Sequence, residues 1–454
     1  MANIVAGKKS CTVNPLKMSQ PLGAALAFMG IKNTMPMLHG SQGCSSFGLV
    51  LLVRHFRESI PLQTTAMNEV ATVLGGFENV EQAVVNIWKR THPDVIGICS
   101  TGVTEIKGDD VHGFIRMIRN NHPELAELKI IHVSTPDFKG AFQDGWESAV
   151  ACLVEALVEA PDDGEGFDYH RINVLPGSHL TPGDLDELRD IIEAFGLVPS
   201  FLPDLAGSLD GHVPDDFTPT TFGGISVEEI KAMGCAGASI AVGEQMRNAA
   251  VVLEAKTGTP YRVFDRLTGL EANDALMEFL SEYSGRPVPT KYRRQRSQLV
   301  DAILDGHFFF GGKKVAIGAE PDLLIALTHF LHEMGCNIVA AVTTTHSSLL
   351  DQIPAAEILI GDLEDLEARA GDCDLLITHA HGRQAAERLG CAFLRIGLPI
   401  FDRLGAAHLI TVGYRGTRDM IFNLGNMFIS QQHGATPDDW RVQRMNGDAT
   451  ILAY

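Results

Sequence analysis

The sequence lacks any pair of cysteines at the C-x-x-C spacing of a self-contained zinc or redox motif. Its eight cysteines are scattered over 454 residues. The N-terminal stretch also lacks the long apolar core of a secretory leader, so we expect a cytoplasmic protein. In that reducing compartment the cysteines should be thiols or metal ligands rather than disulfides. If the chain binds a metal, further ligands must come from elsewhere.

Long hydrophobic runs and an excess of positive charge are missing as well. The longest apolar runs, such as 47–53, are far too short to span a bilayer. The formal net charge is -20 at neutral pH, and such an acidic surface repels both nucleic acid and anionic membranes. We therefore expect neither nucleic acid nor a membrane as a partner.

Glycine-rich phosphate loops are a third absence. The chain has no G-x-x-x-x-G-K-[ST] motif, and it has no G-x-G-x-x-G between a strand and a helix. Many parallel α/β proteins bind nucleotides through these loops. Their absence disfavours a nucleotide-dependent enzyme, because a fold by itself does not imply a function.

Apolar segments of strand length alternate with amphipathic helical segments along the chain. The apolar segments lie at 94–99, 129–133, 171–175, 197–202, 238–242, 313–318, 336–342, 357–361, 374–378 and 392–397. Strands joined through helices are parallel, and the length suits about three domains of roughly 150 residues. We therefore predict an α/β fold of three Rossmann-like domains with parallel, doubly wound sheets, at 1–165, 166–295 and 296–454. An acidic, glycine-rich linker at 162–167 and a second boundary near 287–289 separate them.

One segment has features that suit an inorganic ligand. Residues 37–46 (MLHGSQGCSS) place Cys44 directly before an apolar helical segment. The free N–H groups and the dipole of a helix N-terminus favour a thiolate there, which is the ligand that iron–sulfur clusters use. Gly40 and Gly43 would let the backbone approach a bulky cluster closely. On these residues alone, a tight turn with a small buried cysteine is the simpler interpretation.

Several longer stretches resemble the β subunit of the nitrogenase molybdenum–iron protein and its paralogues. The matching stretches are 39–44 (HGSQGC), 54–58 (RHFRE), 74–76 (LGG), 108–110 (GDD), 114–115 (FI), 135–136 (TP), 145–146 (GW), 269–272 (GLEA) and 397–402 (GLPIFD). The first two are the most specific, and together the matches span nearly the whole chain. The resemblance implies a fold of the nitrogenase component 1 type and an iron–sulfur role for Cys44.

The departures from the catalytic β subunit are informative. That subunit brings three cysteines to its large P-cluster, and its second and third positions hold Leu62 and Gly102 here. Neither residue can ligate iron, and Cys99, three residues from the third position, is predicted to be buried packing. A four-iron cluster normally needs four thiolates. The resemblance therefore implies a [4Fe-4S] cluster with Cys44 as one ligand and three ligands from a partner chain.

These departures favour the scaffold branch of the family over a catalytic subunit. The resemblance implies a heterotetramer with the α-like scaffold subunit NifE, which mainly holds the maturing iron–molybdenum cofactor precursor. It also implies transient contacts with the nitrogenase iron protein, with NifB or the carrier of its product, and with apo-nitrogenase. We assign no catalytic residue to this chain and expect no turnover from the chain alone.

Two alternatives remain open. The first is an electron-transferring oxidoreductase subunit, either the nitrogenase β subunit or the B-type subunit of light-independent protochlorophyllide reductase. The latter typically has a carboxylate at the position of Cys44. The second is a metal-free protein of three α/β domains that binds a small molecule, which predicts a colourless purified protein.

Further polar residues receive structural interpretations. Asp109 and Asp110 are predicted to cap the helix that follows them. The segments 343–348 and 379–383, which contain histidines and follow strands, are predicted to be solvated loops. The basic stretch 291–296 is predicted to be a solvated helix face.

Overall fold

A computed structural model describes residues 2–7, 9, 12, 14–161, 166–213 and 215–432. Residues 162–165, most of the predicted linker, lie outside the described residues. The described part contains three parallel sheets with helices between their strands. The predicted α/β fold with parallel sheets is therefore confirmed.

Every strand segment predicted from the sequence coincides with an observed strand. The strands are β1 (Asn3–Ala6), β2 (Thr34–His39), β3 (Gln63–Thr64), β4 (Val95–Ser100), β5 (Lys129–Val133), β6 (Asp168–Pro176), β7 (Val198–Phe201), β8 (Ala236–Val242), β9 (Tyr261–Phe264), β10 (Lys314–Ala319), β11 (Asn337–Thr343), β12 (Glu357–Ile360), β13 (Leu375–Thr378) and β14 (Ala392–Arg395). Strand β4 is buried along its whole length, as expected of a parallel strand covered on both faces.

The helices connect these strands in chain order. They are α1 (Gln20–Met29), α2 (Gln42–Phe56), α3 (Glu69–Leu74), α4 (Phe77–Thr91), α5 (Gly102–Lys107), α6 (Val111–Asn121), α7 (Phe142–Leu157), α8 (Pro182–Ala194), α9 (Val227–Ala232), α10 (Arg247–Thr257), α11 (Leu270–Ser284), α12 (Thr290–Phe310), α13 (Pro321–Glu333), α14 (Leu363–Ala370), α15 (Arg383–Leu389) and α16 (Gly413–Gln432). Within the described ranges, no helix combines the length and the hydropathy needed to cross a bilayer.

Each sheet reverses its strand order once. The first sheet has the order β3-β2-β4-β5, the second β7-β6-β8-β9, and the third β1-β12-β11-β10-β13-β14. In the first two sheets the chain adds a strand on one side of the starting strand, β2 or β6, and then continues on the other side. The third sheet does the same from β10 onward, and β1 lies at its edge. In open parallel sheets, ligands bind beyond the carboxyl ends of the two strands that flank such a reversal. The first sheet therefore offers a site where β2 and β4 end.

The N-terminal strand β1 belongs to the third sheet and not to the first. Asn3 pairs with Glu357 and Ala6 pairs with Ile360 of β12, in parallel register. The chain then returns to α1 and the first sheet. The domain limits at 165 and 295 stay a prediction.

Helices α1 and α7 form a tight contact beside the first sheet. All ten residues of α1 are buried. A Cβ added at Gly23 would collide with the backbone of α7, and one added at Gly145 would collide with the backbone of α1. The buried Trp146 donates its indole N–H to the carbonyl of Pro176 in β6 (2.9 Å). This contact joins the first and second sheets behind the candidate site.

Candidate functional site

Cys44 lies beyond the carboxyl end of β2, at the strand-order reversal of the first sheet. After β2 ends at His39, Ser41 is the N-cap residue of α2, and Cys44 is the third residue of that helix. The Cys44 side chain is exposed, and its Sγ lies 3.7 Å from Ser41 Oγ. The thiol is therefore at a helix N-terminus, as the sequence predicts. It is not packed in the interior of its own α/β unit.

The two glycines beside Cys44 differ in their surroundings. Gly43 is exposed, and a Cβ added there would have only Ser41 Oγ within 4 Å, at 3.8 Å. Gly40 is buried, and a Cβ added there would collide with the side chain of Thr101. The space in front of Gly43 is thus open. At Gly40, by contrast, the loops after β2 and β4 pack so closely that there is no room for a side chain. A role for either backbone beside a cluster stays a prediction.

A buried hydrogen-bond network fixes the loop that carries Cys44. His39 contacts Thr65 Oγ1 through Nδ1 (3.0 Å) and Asp109 Oδ2 through Nε2 (3.2 Å). Thr65 Oγ1 also accepts the backbone N–H of Gly40 (3.1 Å), and Thr101 Oγ1 donates to the His39 carbonyl (2.9 Å). Burial lowers the pKa of His39. The ring is therefore a neutral structural element beneath the loop.

The prediction that Asp109 and Asp110 both cap a helix is half wrong. Asp110 is the N-cap residue of α6 and accepts the backbone N–H of Gly113 (2.9 Å). Asp109 instead lies 3.2 Å from His39 Nε2 and 3.2 Å from Lys107 Nζ. Its carboxylate is used by the network beneath the Cys44 loop, because the tertiary fold brings the end of β2 beside it.

The two positions that depart from the catalytic β subunit offer no side-chain ligand. Leu62 is buried, and its Cδ2 would lie 3.6 Å from a Cβ added at Gly48 of α2. Gly102 begins α5, and its backbone N–H donates to Asp137 Oδ2 (3.1 Å). Cys99 is fully buried in β4, and burial raises the pKa of its thiol. The prediction that Cys99 is buried packing is confirmed.

Exposed apolar side chains surround the carboxyl edge of the first sheet. Phe47 is 65% exposed, Val73 is 79% exposed and Ile106 is 78% exposed. The segments that carry them all follow strands of this sheet. We name the set the apolar rim: Phe47, Val50, Val53, Val70, Val73, Val103, Ile106 and Phe138. Apolar surface of this kind marks an interaction site.

The apolar rim is not among the features predicted above, although the sequence of α2 contains a signal for it. Phe47, Val50 and Val53 recur on one face of α2, while Leu51 and Leu52 lie on its buried side. Apolar residues on both the buried and the solvent-facing side of one helix are unusual for a surface helix, whose solvent side is normally polar. Phe47, Val50 and Val53 are therefore candidates for contact with a partner.

Cys44 does not belong to a complete set of metal ligands in the described residues. In the part of the chain that the structure describes, no group of three or more His, Cys, Asp or Glu side chains is placed to hold a metal. An exposed thiol at a helix N-terminus with open space beside Gly43 fits a single ligand of a metal cluster. It does not fit a complete site.

The prediction of solvated loops at 343–348 and 379–383 is only partly correct, because His346, Ser348 and Arg383 are exposed whereas other residues of both segments are buried. His379 is buried, its Nε2–H donates to the carbonyl of Leu16 (3.1 Å), and its Nδ1 accepts the backbone N–H of His381 (3.4 Å). Thr343 and Thr344 are buried as well. The N-terminal segment before α1 covers the His379 loop, a long-range contact that local sequence does not reveal.

The basic stretch 291–296 lies on α12, as predicted. Arg293 and Arg294 are exposed, and Arg296 pairs with Asp274 (2.7 Å). Tyr292 is fully buried. The stretch is the outer face of a packed helix.

Two solved structures have a fold similar to that of this chain. The solved structure "Nitrogenase Cp1 at pH 6.5" matches with a TM-score of 0.88 and 31% identity, over 95% of this chain and 97% of that chain. The structure "Nitrogenase Cp1 at pH 5" matches with a TM-score of 0.67 over 95% of this chain and 91% of that chain. At 16% identity the second match shows the fold alone.

The family model "Nitrogenase component 1 type Oxidoreductase" matches residues 19–429. The chain is 64% identical to the "Nitrogenase iron-molybdenum cofactor biosynthesis protein NifN" of Bradyrhizobium diazoefficiens, over 97% of this chain and 95% of that protein. The chain belongs to the NifN family of nitrogenase component 1 proteins. Proteins of the same description from Mesorhizobium japonicum and Rhodobacter capsulatus are 52% and 46% identical, over 96% and 97% of this chain and 95% and 96% of those proteins.

Proposed function

We propose that this NifN-family chain is a subunit of the scaffold on which the nitrogenase iron–molybdenum cofactor matures. We further propose that Cys44 supplies one thiolate to a [4Fe-4S] cluster shared with NifE at the subunit interface. The observation that carries the proposal is the exposed Cys44 thiol at a helix N-terminus, next to the apolar rim. The description of the relatives as cofactor biosynthesis proteins supports the scaffold role.

The number of available ligands favours a shared cluster. A four-iron cluster normally takes four thiolates, and no set of three or more potential ligands is gathered in the described residues. Leu62 and Gly102 cannot replace the missing thiolates. A cluster bound at Cys44 therefore needs a second chain that supplies the other ligands.

The apolar rim supports a protein partner rather than an open, solvated cluster. Covering these exposed valine, isoleucine and phenylalanine side chains with a second protein is favourable, because apolar surface is removed from water. The same covering would exclude water from the Cys44 thiolate. An edge at which one thiolate and an apolar surface coincide is suited to the interface of a heterotetramer with NifE.

The contribution of this chain to the cluster is orientation and charge. The positive end of the α2 dipole lies at Cys44, and the His39 network holds the loop in place. A bound [4Fe-4S] cluster supplies one-electron transfer. The nitrogenase iron protein is the proposed electron donor, NifB or its product carrier delivers the precursor, and apo-nitrogenase accepts the finished cofactor. The precursor itself is held mainly by NifE.

Co-expression of the full chain with NifE tests the proposal. We expect a brown complex with an iron–sulfur signal in electron paramagnetic resonance of the reduced protein. Cys44→Ala removes one ligand, so the variant complex should lose iron, on the order of four atoms per cluster, or show a shifted reduction potential. Iron content and the resonance spectrum are the measurements.

Cys235→Ala is the matched control, because Cys235 is a half-buried thiol that belongs to the second sheet region. Its complex should keep the wild-type iron content and spectrum. If Cys44→Ala also leaves both unchanged, Cys44 is not a ligand. A colourless wild-type complex would favour the metal-free alternative.

A further inference from the structure

Two cysteines meet at the edge of the third sheet, far along the chain from Cys44. Cys391 directly precedes β14 and Cys373 lies two residues before β13, and in these neighbouring parallel strands Leu375 pairs with Ala392. The Ala392 N–H donates to the carbonyl of Asp374 (3.1 Å), so Asp374 is opposite Cys391 and Cys373 is one residue further back. Cys373 lies between two bends rather than in the strand, and both thiols pack against the same small core on one face of the sheet. From strand spacing and rise, their Cα atoms are about 6 Å apart, within the range of about 4.4–6.8 Å found in disulfides.

The two thiols share one environment but differ in accessibility. Cys373 is buried in the small core on one face of the third sheet, and the half-buried Cys391 packs against the same core. The neighbouring Cys391 thiol and burial both raise the pKa of Cys373, whereas the neighbouring Cys373 thiol lowers the pKa of Cys391. Cys391 is therefore the more accessible and more nucleophilic thiol, and Cys373 is the buried thiol of the pair.

We propose that Cys373 and Cys391 form a redox-active thiol pair that closes to an intramolecular disulfide by exchange with a low-molecular-weight disulfide such as oxidised glutathione. The Cys391 thiolate attacks one sulfur of oxidised glutathione, forms a mixed disulfide and releases one glutathione thiolate. The Cys373 thiolate then attacks the Cys391 sulfur and releases the second glutathione. The protein loses two electrons and two protons, and both end on two molecules of reduced glutathione.

The disulfide would tie the last strand of the sheet to its neighbour. In the described residues β14 pairs with β13 alone, so a covalent bond at its start fixes it against fraying. The pair lies at the amino end of its strands and in a different sheet from Cys44. Its oxidation is therefore separable from the proposed cluster function, and either can fail without the other.

Mass spectrometry of the full-length protein tests the pair. The purified chain is incubated with oxidised glutathione under native conditions, free thiols are alkylated, and the protein is digested with trypsin without reductant. Cleavage after Arg369, Arg383, Arg388 and Arg395 yields peptides 370–383 and 389–395, each with one cysteine. We expect these peptides to be joined, two hydrogen masses lighter than their sum, and to separate on reduction.

Cys373→Ser and Cys391→Ser should each abolish the joined peptide, while Cys235→Ser should retain it. Serine is close to cysteine in size, and circular dichroism checks that the variants fold; the wild-type experiment stands without them. The proposal is overturned if the wild-type peptides remain alkylated after oxidation, or if Cys391 carries glutathione that Cys373 does not displace. It is also overturned if the joined peptide forms only after denaturation.

Discussion

The first and third sheets both reverse their strand order, yet only the first leaves the reversal open. Beyond β2 and β4 the first sheet presents an exposed thiol and the apolar rim. Beyond β10 and β13 the third sheet presents Asp322 and His379, and both are buried. The same topological position is thus exposed to solvent in the first sheet and buried by other segments of the chain in the third.

The chain itself closes the reversal of the third sheet. His379 Nε2–H donates to the carbonyl of Leu16, in the segment before α1 (3.1 Å). Asp322 Oδ2 accepts the backbone N–H of Gln245 (3.2 Å), and the Asp322 backbone N–H donates to Gln143 Oε1 (3.3 Å). The first and second α/β units therefore both supply contacts to α13. A strand-order reversal is a place where a ligand can bind. Whether a ligand can reach it depends on whether other segments of the same chain pack over it.

Asp322 offers the largest effect with which to sharpen this comparison. Burial raises the pKa of its carboxyl from 3.8 to about 7, with Glu244 and Asp265 acting in the same direction. The folded protein therefore keeps a proton that the unfolded chain releases near pH 4, so stability falls as the pH rises from about 4 to about 7. The loss is at most about 4 kcal/mol. Asp322→Asn cannot ionise, so its urea unfolding midpoint should vary less across this range.

Asp301→Asn is the control for that measurement, because Asp301 is exposed on α12. Its pH profile should follow the wild type. If the Asp322→Asn midpoint varies with pH as steeply as the wild-type midpoint, ionisation of Asp322 does not cause the pH dependence of stability.

Phe47→Asp tests the exposed strand-order reversal of the first sheet, and we expect the next largest effect from it. A charge in the apolar rim should weaken assembly with the partner by about 2 kcal/mol, roughly thirtyfold in dissociation constant, while the chain itself stays folded because Phe47 is 65% exposed. Sedimentation of the two-chain mixture over a concentration series measures this. Phe308→Asp, at a 78% exposed position on α12, is the matched control and should assemble normally. Equal assembly of both variants would mean that the apolar rim is not the interface.

His379→Ala should have an effect similar in size to that of Phe47→Asp, but it should act on the stability of the third sheet and not on assembly. Losing the bond to the Leu16 carbonyl leaves a buried acceptor without its partner, which costs about 1–3 kcal/mol of unfolding free energy. Denaturant unfolding measures the loss, and the exposed His346→Ala variant is the comparison. Iron content of the complex should not change. A loss of iron in His379→Ala would contradict the separation between the two reversals.

Local sequence predicts much of this protein because its strands are short, apolar and separated by helices. The parallel sheets, the position of Cys44 at a helix N-terminus and the buried state of Cys99 all follow from residues close in the chain. Strand β2 is not predicted, since Pro36 within it argues against a central strand. The proposed ligand count, a single thiolate where a four-iron cluster normally takes four, follows from the resemblance to the nitrogenase β subunit and not from composition or spacing.

Tertiary structure decided what these local elements became. It placed β1 in the third sheet, moved Asp109 from a helix cap to the His39 network, buried His379 under the N-terminal segment and brought Cys373 beside Cys391. Each depends on contacts between residues far apart in sequence, and local periodicity carries no information about them. Whether a polar residue faces water or another segment depends on what packs over it. The sequence by itself therefore predicted that Cys44 lies at the start of a helix, while only the fold determined that its thiol is exposed.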